Sequence, residues 1–416
     1  MRSVDAFTRR ILMLAWFLLV LSAIFFSGAA LTVVKAPVLW TWMVAILVDE
    51  FGQWLIWVAV ALAFAAWRCY RSSLSSVPLV ATGLAVLAAL LLALPSVRAW
   101  RLSRALPQEL VRAFGPSSAP APAFDWARLY SLSALRSAPP DGAPETFVFS
   151  REGTPDATAL DLYRSRKPGA PAPCIVSIHG GGWDNGDRLQ LAEINRRWAS
   201  EGFVVAAIDY RLAPRWAWPA QEEDVLTAIA YLKAHAAAFG IDPDRFVLFG
   251  RSAGGQIATA TAYATDEPSI RGVMAFYSPH DLNFAWKYAR PDDVLNSLLL
   301  LKQYTGGTPE TRQSVYDGGS ALLHVSHSSP PTLLVHGELD TLVWHRQSER
   351  LDAKLASEGV PHLFVSLPWA THAFDFNLDG PGGQVALEAV SGFLNAVAGP
   401  GSRAVHSTLD AAAPSK

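Results

Sequence analysis

The run Phe249-Gly250-Arg251-Ser252-Ala253-Gly254-Gly255 constrains this chain more than any other segment. A β-branched and aromatic stretch, Arg245 to Phe249, leads into it, and an Ala-rich helical stretch follows. Gly-x-Ser-x-Gly between a strand and a helix describes a sharp, strained turn that lifts a serine hydroxyl out of a sheet. Glycine is needed at Gly250 and Gly254 because a side chain there would meet the neighbouring strand or helix. Ser252 is therefore a candidate nucleophile, and the rest of the chain has to supply its sheet and its partners.

The sheet is legible as alternation. Strand-like runs at 145–149, 159–163, 173–178, 203–208, 245–249, 272–277, 331–335 and 362–367 alternate with helical stretches from about Gln190 onward. The segment Gln221 to Ala238 carries Val225, Ile229 and Leu232 at helical spacing. Such alternation predicts an α/β fold with a mostly parallel sheet flanked by helices. A long insertion, Ser278 to Ser329, separates two of the strands and contains Trp286, Tyr288 and Leu298 to Leu301. It is expected either to contribute to a substrate pocket or to pack on the core as a helical excursion.

Upstream of the serine, the buried strand Cys174 to Ile178 ends in His179-Gly180-Gly181-Gly182-Trp183. A glycine run after a strand lets backbone N–H groups turn inward without Cβ obstruction, as stabilisation of a developing oxyanion requires; a simple flexible turn is the alternative. His179 reads as a brace of this loop rather than a base. Serine is a poor nucleophile unless a base lies within reach and is oriented by a third group. Downstream, the strand Thr332 to Val335 runs into His336-Gly337-Glu338-Leu339-Asp340, and an acid just past a strand sits at the carboxyl edge of the sheet, where ligand sites gather. Asp340 is the candidate acid, with Glu338 its rival. The strand His362 to Leu367 is followed by Pro368-Trp369-Ala370-Thr371-His372, which offers His372 as the base. His336 reads as structural, and His324 with His327 lacks a third partner for a metal.

These segments together resemble the α/β-hydrolases of the hormone-sensitive-lipase-like and carboxylesterase type. The resemblance rests on His179-Gly-Gly-Gly-Trp183, Asp209-Tyr-Arg-Leu-Ala-Pro214, Trp218-Pro-Ala220, Gly250-Arg-Ser-Ala-Gly-Gly255, His336-Gly-x-x-Asp340-x-x-Val343 and His372-Ala-Phe374. It covers residues 140–397. It implies Ser252 as nucleophile, Asp340 as acid and His372 as base, with the N–H groups of Gly181, Gly182 and Ala253 holding the oxyanion. Trp183 departs from the commonest lipase-like pattern and is closer to feruloyl-esterase-like and prenylcysteine-methylesterase-like members.

The first hundred residues are of another composition. Ile11 to Val34 is an uncharged, largely apolar run long enough to cross a bilayer, and Phe51 to Trp67 and Leu79 to Leu94 are shorter candidates. Three transmembrane helices are expected within 1–104, at about 11–34, 51–67 and 79–94, with two or four spans as rivals and a cleaved signal peptide as the alternative for the first. Pro37 to Val48 is interrupted by Asp49 and Glu50 and reads as interfacial or as a helix extension. With three spans, Arg2, Arg9, Arg10, Arg68 and Arg71 face Lys35, Arg98, Arg101 and Arg104 across the membrane, five against four. Since the first helix usually dominates, the catalytic domain is expected on the non-cytoplasmic side. A Pro/Ser/Ala-rich linker is expected over 105–139, including the tether Pro116 to Pro122, and a disordered tail over 398–416.

A net charge of −2 gives no reason to expect a nucleic acid. Cys69 and Cys174 are not expected to pair. The sequence thus predicts a membrane-anchored serine hydrolase acting on small-molecule or lipid carboxylic esters through an acyl-enzyme, with no metal or organic cofactor and with oligomeric state unread. An amidase or formamidase, an acyltransferase using the same triad, and a non-catalytic hydrolase-fold module are the alternatives.

Overall fold

Apolar runs such as Val204 to Ile208 and Phe246 to Phe249 are buried in the central strands of one sheet, as in strands covered on both faces. The computed structural model describes residues 2–73, 75–118, 124–131, 143–167, 169 and 171–399. Its strands are β1 (Glu145–Ser150), β2 (Thr158–Tyr163), β3 (Ala172–Ile178), β4 (Val204–Ile208), β5 (Ile241–Arg251), β6 (Ile270–Phe276), β7 (Thr332–Gly337) and β8 (His362–Leu367). They lie in the order β1-β2-β4-β3-β5-β6-β7-β8. The pairs β1/β2 and β2/β4 are antiparallel, and all the others are parallel. Each expected strand has its counterpart within a few residues; β5 alone starts well before its expected run, at Ile241.

The helices that follow the N-terminal region's own four are α5 (Glu193–Glu201), α6 (Ala220–Ala234), α7 (Ala236–Phe239), α8 (Ala253–Ala264), α9 (Leu282–Tyr288), α10 (Ser297–Thr305), α11 (Pro309–Gly318), α12 (Ala321–His324), α13 (Arg346–Ser357) and α14 (Pro381–Ala398). Because side chains alternate across a strand, the sheet divides its residues between two cores. Val176, Ala206 and Leu248 pack with Val225 and Ile229 of α6, Ile257 of α8 and Leu351 of α13. Ile175, Val205, Val247 and Phe249 pack on the other side with Trp198 of α5 and Val390 and Phe393 of α14.

The N-terminal region comprises α1 (Arg2–Ala29), α2 (Leu39–Glu50), α3 (Gly52–Arg71) and α4 (Val77–Phe114). Among the described residues, three helical stretches, Arg9–Thr32, Gly52–Arg71 and Val77–Phe114, are long and apolar enough to cross a membrane. Small side chains let them approach closely: Ala15, Ala66 and Ala81 form one contact cluster, and Ala29, Ala59 and Ala88 another. A Cβ on Gly52 would stand 2.8 Å from the Leu92 carbonyl oxygen. Pro37 to Val48, expected to be interfacial or a helix extension, falls largely within a separate helix, α2, that ends just before α3.

Two expectations need correction. The linker expected to start at 105 does not, because α4 runs on through Pro95 and Pro107 to Phe114. Burial drives this continuation: Leu106 and Leu110 are fully buried and, with Phe114, join the core beneath α14. Nor is the described part of the expected linker a free tether. Arg128 pairs with Asp379 at 2.7 Å, the Asp125 N–H donates to Gln384 Oε1 at 2.8 Å, and Leu129 is buried. Residues 119–123 and 132–142, and the tail from 400, lie outside the described residues.

Candidate active site

Ser252 stands between β5 and α8 with φ 51° and ψ −121°. A left-handed φ is costly for a residue with a side chain, and here the surroundings enforce it. Its N–H donates to the Phe276 carbonyl at 2.9 Å. A Cβ on Gly250 would lie 2.1 Å from the Gly254 oxygen, and one on Gly254 would lie 2.3 Å from both the Ile178 and His179 oxygens. Both glycines are therefore required by backbone closeness, and β3's end is pressed directly against the turn.

That closeness delivers the glycine loop to the serine. A Cβ on Gly180 would approach the Ser252 Cβ to 3.3 Å. Gly181, Gly182 and Trp183 all take positive φ, at 120°, 61° and 66°. Three side-chain contacts fix the loop. The Gly180 N–H donates to Gln190 Oε1 at 2.8 Å; the Tyr210 hydroxyl donates to the His179 carbonyl at 3.1 Å; the Trp183 indole N–H donates to Gln256 Oε1 at 2.8 Å. The His179 ring stacks on Tyr210 with centroids 4.2 Å apart, and burial lowers its pKa, which keeps it neutral. It is a brace, buried behind the loop. Asp209 of the Asp-Tyr-Arg-Leu-Ala-Pro segment pairs with Arg188 at 2.6 Å, a structural contact.

Asp340, fully buried in the loop after β7, meets His372 from the loop after β8: Oδ2 accepts from His372 Nδ1 at 2.7 Å. The other oxygen, Oδ1, accepts the N–H groups of Leu342 at 2.8 Å and Val343 at 2.9 Å. Burial raises the carboxyl's pKa, but the charges and hydrogen bonds of His372 and His336 outweigh it and hold the group well below the usual carboxylate range. Glu338, the rival acid, accepts instead from the Ser366 hydroxyl at 2.8 Å, away from His372. His336 is a second partner of Asp340, with Nε2 3.1 Å from Oδ2.

Ser252, His372, Gly181, Gly182 and Ala253 all line one cavity of about 830 Å³. The insertion between β6 and β7 does both things expected of it: Phe284, Tyr288, Leu300 and Leu301 supply part of the cavity wall, while Leu282, Tyr304 and Tyr316 pack into the core. Several contributors escaped the sequence reading. Tyr277 lines the cavity with its ring centroid 4.3 Å from that of His372, and its hydroxyl donates to Asp375 at 2.5 Å. Arg251 pairs with the same Asp375 at 2.5 Å in the core. Trp42, from α2, also lines the cavity. Arg251 lies within the motif that carries Ser252, and Asp375 just after the one that carries His372, so both could have been suspected; nothing near Trp42 announces it.

A family model described as BD-FAE matches residues 160–355. The chain is 30% identical over 256 residues to esterase LipQ of Mycobacterium tuberculosis, covering 58% of this chain and 59% of that protein. It is 33% identical over 276 residues to an ethyl acetate hydrolase of Pseudomonas putida, covering 59% of this chain and 79% of that one. An esterase of Thermogutta terrifontis, solved with propionate bound, superposes with a TM-score of 0.51 at 25% identity, over 61% of this chain and 93% of that structure. The chain spans 59%, 64% and 58% of the length of the first three curated relatives it matches, all from Mycobacterium tuberculosis.

Proposed function

The chain belongs to the α/β-hydrolase carboxylesterases, and on that premise we propose that it hydrolyses carboxylic esters through a Ser252–His372–Asp340 triad while anchored in a membrane by α1, α3 and α4. The observation that carries the reading is the 2.7 Å contact between Asp340 and His372 Nδ1, made beside a cavity that Ser252 and His372 share. With Nδ1–H committed to Asp340, the lone pair of His372 Nε2 is the one left to take a proton.

In the first half-reaction His372 removes the Ser252 proton as Oγ attacks the ester carbonyl. The carbonyl's π electrons move to its oxygen, and the N–H groups of Gly181, Gly182 and Ala253 hold that oxyanion. Collapse breaks the bond to the alkoxy oxygen, which takes the proton from His372 and leaves as an alcohol. Water then enters, gives a proton to His372, and attacks the acyl-enzyme; the second collapse returns the proton to Ser252 and frees the acid. Asp340 stabilises the imidazolium in both halves. No step calls for a metal or organic cofactor.

The walls formed by Phe284, Leu300 and Val343 favour an ester with an apolar substituent. One relative, the ethyl acetate hydrolase of Pseudomonas putida, is in keeping with that. Anchoring makes a membrane-derived ester the natural candidate. The catalytic body is assigned to the non-cytoplasmic side from the arginines before the first span; protection of that body from protease in sealed spheroplasts would reverse the assignment.

The test is hydrolysis of p-nitrophenyl esters, from acetyl to palmitoyl, by the full-length protein in detergent micelles. Wild type is expected to release p-nitrophenolate with a burst and Ser252→Ala to release none. Turnover that survives in Ser252→Ala would remove the nucleophile assignment.

A further inference from the structure

With 12 residues, α2 is too short to cross a bilayer. It is nevertheless tied to the two loops that carry the proposed acid and base. Just ahead of it, Lys35 Nζ donates to the Asp340 carbonyl at 3.4 Å. In its first turn, the Trp42 indole N–H donates to the His372 carbonyl at 3.3 Å. At its end, the Glu50 carbonyl accepts from Asn377 Nδ2 at 3.0 Å, and Glu50 Oε2 accepts from the Gly382 N–H at 3.2 Å. The contacts span the whole stretch from the acid to the start of α14. The loops after β7 and β8 lie beyond the sheet's own ladder, so their positions depend on contacts of this kind.

Trp42 does two things at once. Its N–H is spent on the backbone of His372, and its ring forms part of the wall of the cavity that holds Ser252. An indole suits both tasks, being a large apolar face with one polar edge. Resting on the triad reading above, we propose that Trp42 is a specificity and positioning residue of the ester site, supplied by the membrane region. Its ring limits the length of apolar chain that the cavity accepts, and its N–H holds the His372 loop in register with Ser252.

The experiment compares the full-length wild type with Trp42→Phe and Trp42→Ala in detergent micelles, recording kcat and KM along the p-nitrophenyl series. Phenylalanine keeps a ring against the cavity and drops the N–H. It is expected to lower kcat about three- to tenfold, the worth of one hydrogen bond, with KM and the chain-length optimum unchanged. Alanine also opens the wall, and is expected to move the optimum to acyl chains longer by about two carbons or more. A wild-type kcat in Trp42→Phe overturns the positioning role. An unshifted optimum in a Trp42→Ala protein that melts like wild type overturns the specificity role; if the alanine variant does not fold, Trp42→Leu, which also removes the ring, takes its place. Failure of the underlying reading is distinguishable, because wild type itself would then give no turnover or Ser252→Ala would keep it.

Discussion

Two histidines share one oxygen of Asp340, and their tautomers are set from opposite ends. His336 Nδ1 lies 2.8 Å from the Ser348 hydroxyl, while its Nε2 faces both Asp340 Oδ2 and the Val343 carbonyl at 3.1 Å, so Nε2 bears the proton. His372 offers Nδ1–H to the same oxygen. In Asp340→Asn, the amide oxygen would keep the Leu342 and Val343 N–H groups, turning its NH2 toward two histidine N–H groups. His372 would then carry its proton on Nε2 and lose its function as a base. We expect kcat to fall about 10⁴-fold with the fold intact; a loss under about tenfold, in a protein with wild-type melting, would mean that Asp340 is not the acid. A third histidine makes a prediction about stability. Burial, aided by the charge of His336, pushes His280 down to about 3. The unfolded chain, with a value near 6.5, therefore binds the proton first. The contribution of neutral His280 is whole above about pH 6.5 and is lost as pH falls toward 3. Urea midpoints measured from pH 7 to 4 should decline in wild type and decline less steeply in His280→Gln; parallel slopes would contradict this.

At the scale of elements, the elbow and the glycine loop behave as one unit because β3, β5 and α8 meet through backbone alone. A methyl on Gly254 would have to push β3's end from the turn, since the oxygens of Ile178 and His179 both lie 2.3 Å from its position. Gly254→Ala should therefore lose ester turnover by about 100-fold or more through the displaced oxyanion donors. Gly83→Ala, where nothing lies within 4 Å of the new Cβ, should leave turnover unchanged. Comparable activities in the two variants would show that the close approach does not matter. These elements were legible in the sequence because each motif sits within a few residues of the strand that presents it. Gly250-x-Ser252-x-Gly254, the loop His179 to Trp183, Asp340 and His372 all follow strands whose apolar runs mark them. What was not legible is contact over distance. Trp42 and His372 are 330 residues apart, and no periodicity in α2 registers a partner that remote. The end of α4 was misjudged for a different reason. The apolar composition ends near Leu94, but the helix continues through Pro95 and Pro107, each of which removes an intrahelical hydrogen bond, because Leu106, Leu110 and Phe114 are buried beneath α14.

Taken as a whole molecule, the chain does not divide where its composition changes. The last turns of α4 belong to the hydrolase core, with Phe114 packed edge-on against Phe393 at 5.1 Å. A fragment beginning at residue 116 would expose the face of α14 that Leu106, Leu110 and Phe114 cover. At about 1.5–3 kcal/mol for each buried side chain, that loss is comparable with the whole net stability of a domain, about 5–15 kcal/mol. We expect residues 116–416 to aggregate or to melt well below a fragment that starts at 95, by differential scanning fluorimetry; equal melting temperatures would show that α4 adds nothing to the core. The position of α2 carries one more consequence. It joins the end of one apolar helix to the start of the next, so with α1 and α3 in the bilayer the wall bearing Trp42 lies at the lipid surface. An enzyme held there samples a two-dimensional population of esters, and its rate follows how crowded they are among the lipids. Diluting an ester with inert phospholipid, at constant total ester, should slow turnover in proteoliposomes, whereas adding buffer should not.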